Sequence, residues 1–255
     1  MSKTVRRLIT AVAVVVLIVS ASKIGWHYYQ LYVGARTYED IRVETVTEIE
    51  DAETVDDFST ISIDFDALYN INPDIIAWLY IPDTPVSYPV LRGANNQTYL
   101  RTTYDKKSNI LGSIFQDYRN DADFQDLNTV VYGHNTSNDS MFGSLKQYKQ
   151  QDYASQHTEV QIIRKDEVLV YEVFSVYETL ATSDTYTIKF SSDETYLSYL
   201  SKMLSQSVVE VGSLPVSEHI ITLSTCTGGN KTMRLVLQAR LAAVYPTGPP
   251  EQAWQ

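Results

Sequence analysis

Hydrophobic and polar positions follow three regimes along the chain, and each predicts a different kind of element. Residues 8–19 form a nearly unbroken apolar run behind Lys3, Arg6 and Arg7, and extending the run to Ile24 brings it close to the ~20 residues that cross a bilayer. Ser20-Ala21-Ser22 is a passable cleavage site for a signal peptide. An uncleaved anchor instead keeps Arg6 and Arg7 inside and sets Trp26, Tyr28, Tyr29 and Tyr32 at the far interface. The aromatic residues directly behind the run favour the anchor, and either reading exports the rest of the chain. From Glu39 to Asp66 the sequence turns acidic, with Arg42 its single basic residue. That run reads as a solvated stalk or exposed helix, although Ile41, Val43, Val46 and Ile49 equally allow a helix lying on the following domain.

The third regime is rich in strands. Asn72-Pro73 predicts a short helix with Asn72 as N-cap. Residues 78–81, 87–91, 129–132, 159–163, 168–176, 219–225 and 234–241 are short and β-branched or aromatic, the pattern of a barrel or sandwich. Two helices interrupt them. Met141, Leu145 and Tyr148 recur at helical spacing, and a capping box from Ser191 to Glu194 precedes an apolar face of Tyr196, Leu197, Leu200, Met203 and Leu204.

With 255 residues and 44% hydrophobic content the chain can bury a sizeable core. A formal charge of -11 argues against nucleic-acid binding. The acidic run is too spread to suggest a calcium site, and no metal or cofactor is expected. One cysteine excludes an internal disulfide and leaves either buried filler or a reactive thiol.

Cys226 falls where a strand ends, and the turn-rich residues 227–233 lead to Arg234 at the start of the next strand. Such a hairpin brings Arg234 back beside Cys226, where a guanidinium favours a thiolate and can hydrogen-bond an oxyanion. A buried cysteine and a surface arginine remain the alternative. Four histidines could supply the base. His27 sits in the interface aromatics, His157 in a polar run that looks solvated, and His219 a full strand away from Cys226, which leaves His134.

Thr222-Leu223-Ser224-Thr225-Cys226 with Arg234 resembles the sortase cysteine signature, and Tyr132-Gly133-His134-Asn135 followed by Met141-Phe142-Gly143-Ser144-Leu145 resembles the histidine motif of class B sortases. Asn72-Pro73-Asp74, Ala77-Trp78-Leu79, Tyr88-Pro89-Val90-Leu91 and residues 112–117 extend the resemblance over 62–241. It implies a mainly β fold, a closed barrel with short helices, one of them at 193–205 in the long loop before the cysteine strand, plus the N-terminal transmembrane helix. The implied division is an anchor at 1–25, an acidic linker or N-terminal helix at 26–61, a catalytic domain at 62–245 and a tail at 246–255.

The implied activity is a cysteine transpeptidase on the outer face of the cell membrane, its N-terminus cytoplasmic. It cleaves the C-terminal sorting motif of secreted proteins at a Thr-Gly-type bond and passes the acyl group to a peptidoglycan amine or a pilin lysine. Cys226 is then the nucleophile, His134 the acid and base, and Arg234 the transition-state stabiliser, while Asn96, Leu100, Tyr132 and Ser224 match groove-lining positions. The Cys226–Arg234 connection is shorter than in haem-uptake class B enzymes, which bears on the substrate more than on the reaction. A secreted cysteine peptidase using water, and a non-catalytic β-barrel binding module, are the alternatives.

Overall fold

The computed structural model describes residues 2–49, 61–213, 218–226 and 232–247. Residues 227–231 of the expected turn at 227–233, residues 50–60 of the acidic segment, and the tail from 248 on lie outside the described residues.

A single helix, α1 (Lys3–Thr45), opens the chain and crosses the expected boundary at residue 25 without a break. Its first part, Leu8 to Ile24, leaves its apolar side chains exposed, and the helix is long and apolar enough to cross a membrane. Its second part is docked. Leu31, Gly34, Tyr38, Ile41 and Thr45 are buried, a spacing of three and four residues that keeps one face against the domain. Of the two readings of this acidic stretch, the docked helix therefore applies to residues up to 45. Val43, named with that apolar set, points away and is 75% exposed.

Two short strands, β1 (Val46–Glu48) and β2 (Ile61–Ile63), pair antiparallel and lead into α2 (Phe65–Ile71). Asp64 caps α2 through Ala67 N–H, and Asn72 ends it instead of starting a helix. The Asn72 side chain is fully buried. It donates to Tyr99 Oη and the Tyr104 carbonyl while accepting from Asp74 N–H, so Asn72-Pro73-Asp74 turns the chain into a strand.

The barrel strands are β3 (Ile75–Tyr80), β4 (Ser87–Leu91), β5 (Ile114–Gln116), β6 (Asn128–Tyr132), β7 (Glu159–Ile163), β8 (Glu167–Leu180), β9 (Ile220–Cys226) and β10 (Met233–Pro246). They close in the order β10-β8-β7-β3-β4-β5-β6-β9, with β4–β5 and β6–β9 parallel and the other pairs antiparallel. Closure removes every barrel edge. Two further helices follow β6 and β8: α3 (Gln151–Gln156) and α4 (Asp193–Ser205). The Met141–Tyr148 periodicity corresponds to a 3-10 helix over Gly143–Lys149, with Met141 outside it at φ 54°.

Two clusters hold the domain together. Trp78, Leu79, Val131, Leu223 and Leu237 belong to the larger one, where Trp78 Nε1 donates to Ser87 Oγ at 3.0 Å. The smaller one lies under α4, where Tyr196, Tyr199, Leu200 and Met203 meet Phe174, Tyr177, Ile220 and Val236. The capping box of α4 is Ser192 with Thr195, one residue later than predicted, because the Thr195 hydroxyl takes the role foreseen for Glu194. A buried polar network crosses this contact. Asn128 accepts from Thr222 and donates to the Thr185 and Thr187 carbonyls, and Gln238 donates to Thr222 and Tyr199. It ties the segment before α4 to the barrel strands, and that segment walls the site.

Candidate active site

The parallel pairing of β6 with β9 runs to Tyr132 opposite Ser224, and Gly133 N–H donates to the Ser224 carbonyl at 3.1 Å. His134 lies two residues beyond Tyr132, as Cys226 lies two beyond Ser224. On the other side of β9, Arg234 is the antiparallel partner of Cys226. Paired positions of this kind have α-carbons about 4.5–5.5 Å apart. The register thus gathers 134, 226 and 234 at one end of three neighbouring strands.

The loop after His134 is anchored at both ends. Phe142 N–H donates to the His134 carbonyl at 3.0 Å, Asn135 bridges Met141, and Met141 N–H donates to Tyr88 Oη at 2.9 Å. Half-buried His134 has its Nε2 2.6 Å from the Leu100 carbonyl oxygen. A carbonyl only accepts, so Nε2 carries the hydrogen in this contact and Nδ1 is the nitrogen free to exchange a proton. Arg234 Nη1 donates to the Met233 carbonyl at 3.0 Å.

The other histidines sit elsewhere. His27 is on the exposed part of α1, its ring beside Tyr28. His219 precedes β9, at the opposite end from Cys226. His157 departs from the solvated reading: its ring stacks on Tyr153 at 4.0 Å and its Nδ1 lies 2.8 Å from the Tyr153 carbonyl. Its sequence neighbours are polar, and the packing comes from one turn back on α3.

A cleft of about 670 Å³ lies between β6 and the segment after β8, and Asn96, Asp117, Arg119, Tyr132 and Tyr186 line it. Ala181 at its edge donates its N–H to the carbonyl of Thr232, two residues before Arg234. Of the four expected groove positions, Asn96 and Tyr132 reach this cleft directly. Ser224 meets it through a 2.9 Å hydroxyl contact with Tyr186, and Leu100 stands apart at His134. Tyr132 donates its hydroxyl to Asp117 at 3.0 Å, and Arg119 grips the same carboxylate through Nε and Nη2 at 2.9 and 2.8 Å. Burial disfavours the charged form of Asp117, but hydrogen bonds from the Arg119 side chain and backbone, Asn96 and Tyr132 together outweigh it and hold the carboxyl below the usual aspartate range. Burial, reinforced by Asp117, pushes the Tyr132 hydroxyl far up.

Sequence reasoning missed Asp117, Arg119 and Tyr186 as lining residues. An acid and an arginine two apart just behind a short strand was the available signal for the first two; Tyr186 had none.

Comparison with known proteins gives one family. The sortase-domain family model matches residues 79–242. Sortase B of Listeria monocytogenes is 34% identical over 229 residues, covering 85% of this chain and 90% of the relative. The crystal structure of sortase B from B. anthracis in complex with AAEK1 superposes with a TM-score of 0.73 at 32% identity, over 84% of this chain and 99% of that one. A Staphylococcus aureus sortase B–substrate complex does so with a TM-score of 0.65 at 31% identity, over 72% and 85%. With the closed barrel and the helix before the cysteine strand already in place, these matches make the chain a member of the sortase family, a class B cysteine transpeptidase.

Proposed function

We propose that Cys226, His134 and Arg234 carry out the transfer and that the cleft beside them takes the sorting signal of a secreted protein. The observation that supports this assignment is the strand register, which gives the three positions adjacent places at one barrel end. The Cys226 thiolate attacks the carbonyl carbon of the Thr-Gly-type bond. Arg234 donates hydrogen bonds to the oxyanion as it forms. His134, as imidazolium, gives its Nδ1 proton to the departing amine while the carbon–nitrogen bond breaks, leaving a thioacyl enzyme. An incoming amine then attacks the thioester, His134 takes a proton from it, and the thiolate leaves. The Leu100 carbonyl keeps the imidazole oriented through Nε2. That is the orienting task a third side chain performs in other cysteine enzymes.

The acceptor is an amine of the cell wall, with a pilin lysine as the other candidate of the same chemistry. The apolar part of α1 is the membrane anchor, N-terminus inside, and residues 62–245 form the catalytic domain on the outer surface. Exposed apolar side chains from Leu8 to Ile24 support the anchor.

The test uses the full chain in detergent with a pool of peptides carrying Thr-Gly bonds, with and without triglycine. Cys226→Ala should abolish cleavage, and mass spectrometry of the native chain should find an acyl adduct on Cys226 and a triglycine-extended product. Cleavage surviving in Cys226→Ala refutes the assignment, since the chain has no other thiol. Hydrolysis unchanged by triglycine assigns water as the acceptor instead.

A further inference from the structure

Asp117 has no task in the reaction sequence above, yet its surroundings are unusual. Its side chain is 0% exposed, whereas every other acidic side chain in an ion pair among the described residues is at least 15% exposed. An ionised carboxylate only accepts hydrogen bonds, so each partner must turn a hydrogen toward it. Those partners are the Arg119 backbone N–H, Arg119 Nε and Nη2, and the Tyr132 hydroxyl. Both side chains line the cleft, as does Asn96, whose side chain also hydrogen-bonds Asp117.

Two consequences follow for the cleft. A Tyr132 hydroxyl committed to Asp117 has its rotor fixed, and its oxygen offers only lone pairs to anything else. An Arg119 guanidinium held edge-on at two points cannot rotate. Its Nη2 also reaches the Tyr186 carbonyl at 3.4 Å, and its Nη1 has no hydrogen-bond partner among the described residues.

We propose that Asp117 is a positioning residue for substrate binding: it fixes the Tyr132 hydroxyl as an acceptor and the Arg119 guanidinium as a donor, a matched pair for a peptide amide of the sorting signal. This deepens, and rests on, the reading of the cleft as the sorting-signal site. Asp117 touches no reacting atom. Its effect should therefore appear in substrate affinity and leave Cys226 chemistry alone.

The experiment compares native chain, Asp117→Asn, Tyr132→Phe and the double variant in detergent, using the best-cleaved Thr-Gly peptide of the pool with triglycine. The folded fraction of each variant is read from its urea unfolding curve, so that kcat and KM refer to folded enzyme, and the rate of Cys226 alkylation by iodoacetamide is followed separately. Asn replaces one acceptor oxygen with a donor and breaks the clamp at nearly constant volume. Charge-assisted hydrogen bonds of this kind correspond to a KM increase of about 10- to 100-fold. We expect that increase with kcat changed less than about threefold, an unchanged alkylation rate, and a double variant no worse than the poorer single one, because both changes remove the same interaction.

A KM unchanged in Asp117→Asn while Tyr132→Phe raises it overturns the positioning role and leaves the cleft reading standing. A KM unchanged in both variants overturns both. A loss of folded enzyme with native KM in the remainder makes Asp117 purely structural and overturns the proposal. If Asp117→Asn does not fold, Arg119→Lys carries the test. It keeps a charge on the carboxylate and removes the two-point grip, and a KM unchanged there overturns the proposal as well.

Discussion

Tyr38 offers the sharpest test of whether α1 is part of the catalytic domain. It is 4% exposed, and its hydroxyl donates to the Gly112 carbonyl at 2.6 Å and lies 3.0 Å from Ser113 Oγ. Its ring packs 5.5 Å from both Tyr88 and Tyr104. Tyr38→Phe keeps the ring and removes the hydroxyl, leaving a buried carbonyl short of its donor, which costs about 1–2 kcal/mol. Tyr38→Ala also removes two aromatic contacts and opens a cavity, and should cost about 3–5 kcal/mol, the range for deleting a buried aromatic ring. Against a total stability of about 5–15 kcal/mol, that is a large share. Val43→Ala, on the exposed side of the same helix, is the control and should stay within about 0.5 kcal/mol. Urea unfolding of the full chain in detergent reads all three. For a domain of this size each kcal/mol corresponds to about 2–4 °C, so Tyr38→Ala should also lower the melting midpoint by roughly 6–20 °C. A Tyr38→Ala midpoint indistinguishable from Val43→Ala refutes the docking of α1 through this face.

Three further outcomes follow from the same structure. A Cβ at Gly34 meets Leu111 Cδ1 at 2.5 Å and Asn109 Oδ1 at 2.7 Å, so Gly34→Leu should destabilise by about 1–3 kcal/mol in the same urea assay. Arg234→Lys should lose about 10²–10³-fold in peptide turnover with little change in Cys226 alkylation, while His134→Ala should be partly rescued by a thioester substrate whose leaving group needs no proton; equal rescue in both reverses the two roles. The folded Asp117 carboxyl sits below the ordinary aspartate value of about 3.9, so its stabilisation is complete above that range and drains as pH falls through the folded value. Denaturation midpoints of native chain and Asp117→Asn should therefore show their full gap above about pH 5 and begin to converge only as pH falls below about 4 toward the folded value, and a constant gap contradicts the ionised pairing.

What the sequence disclosed depended on how local each determinant was. Strands β4 and β7 were legible to the residue because their β-branched and aromatic runs end at clear turn signals. Strand β5 was not, since three residues carry no periodicity and its pairing with β4 and β6 is entirely non-local. Asn72-Pro73 looked like a helix start because both residues favour that place, but tertiary bonds to Tyr99 and Tyr104 claimed the Asn72 side chain. The docked face of α1 was half hidden because two of its buried members, Gly34 and Thr45, are not hydrophobic, while the exposed side carries the charge that dominates composition. Residue type and strand ends made Cys226, His134 and Arg234 candidates, and the roles proposed for them came from the resemblance to sortases. The Leu100 carbonyl at His134 was beyond sequence reading, because a backbone atom has no residue type to betray it.

The unbroken course of α1 also bears on the membrane anchoring proposed above. A flexible stalk lets a domain wander over a hemisphere, diluting it among all heights and tilts. A helix rises 1.5 Å per residue, so the five or six residues between Gly25 and Leu31, the first buried position, span only about 9 Å. With the apolar part of α1 as the anchor proposed above, the catalytic domain would ride as a fixed head just above the lipid, with the cleft at one height and one tilt. On that proposal, encounter would become a search in two dimensions, restricted to polypeptides held at that level. Lengthening the spacer by a single residue would swing the head by about 100° around the helix axis, whereas a seven-residue insertion would nearly restore its bearing and lift it by about 10 Å.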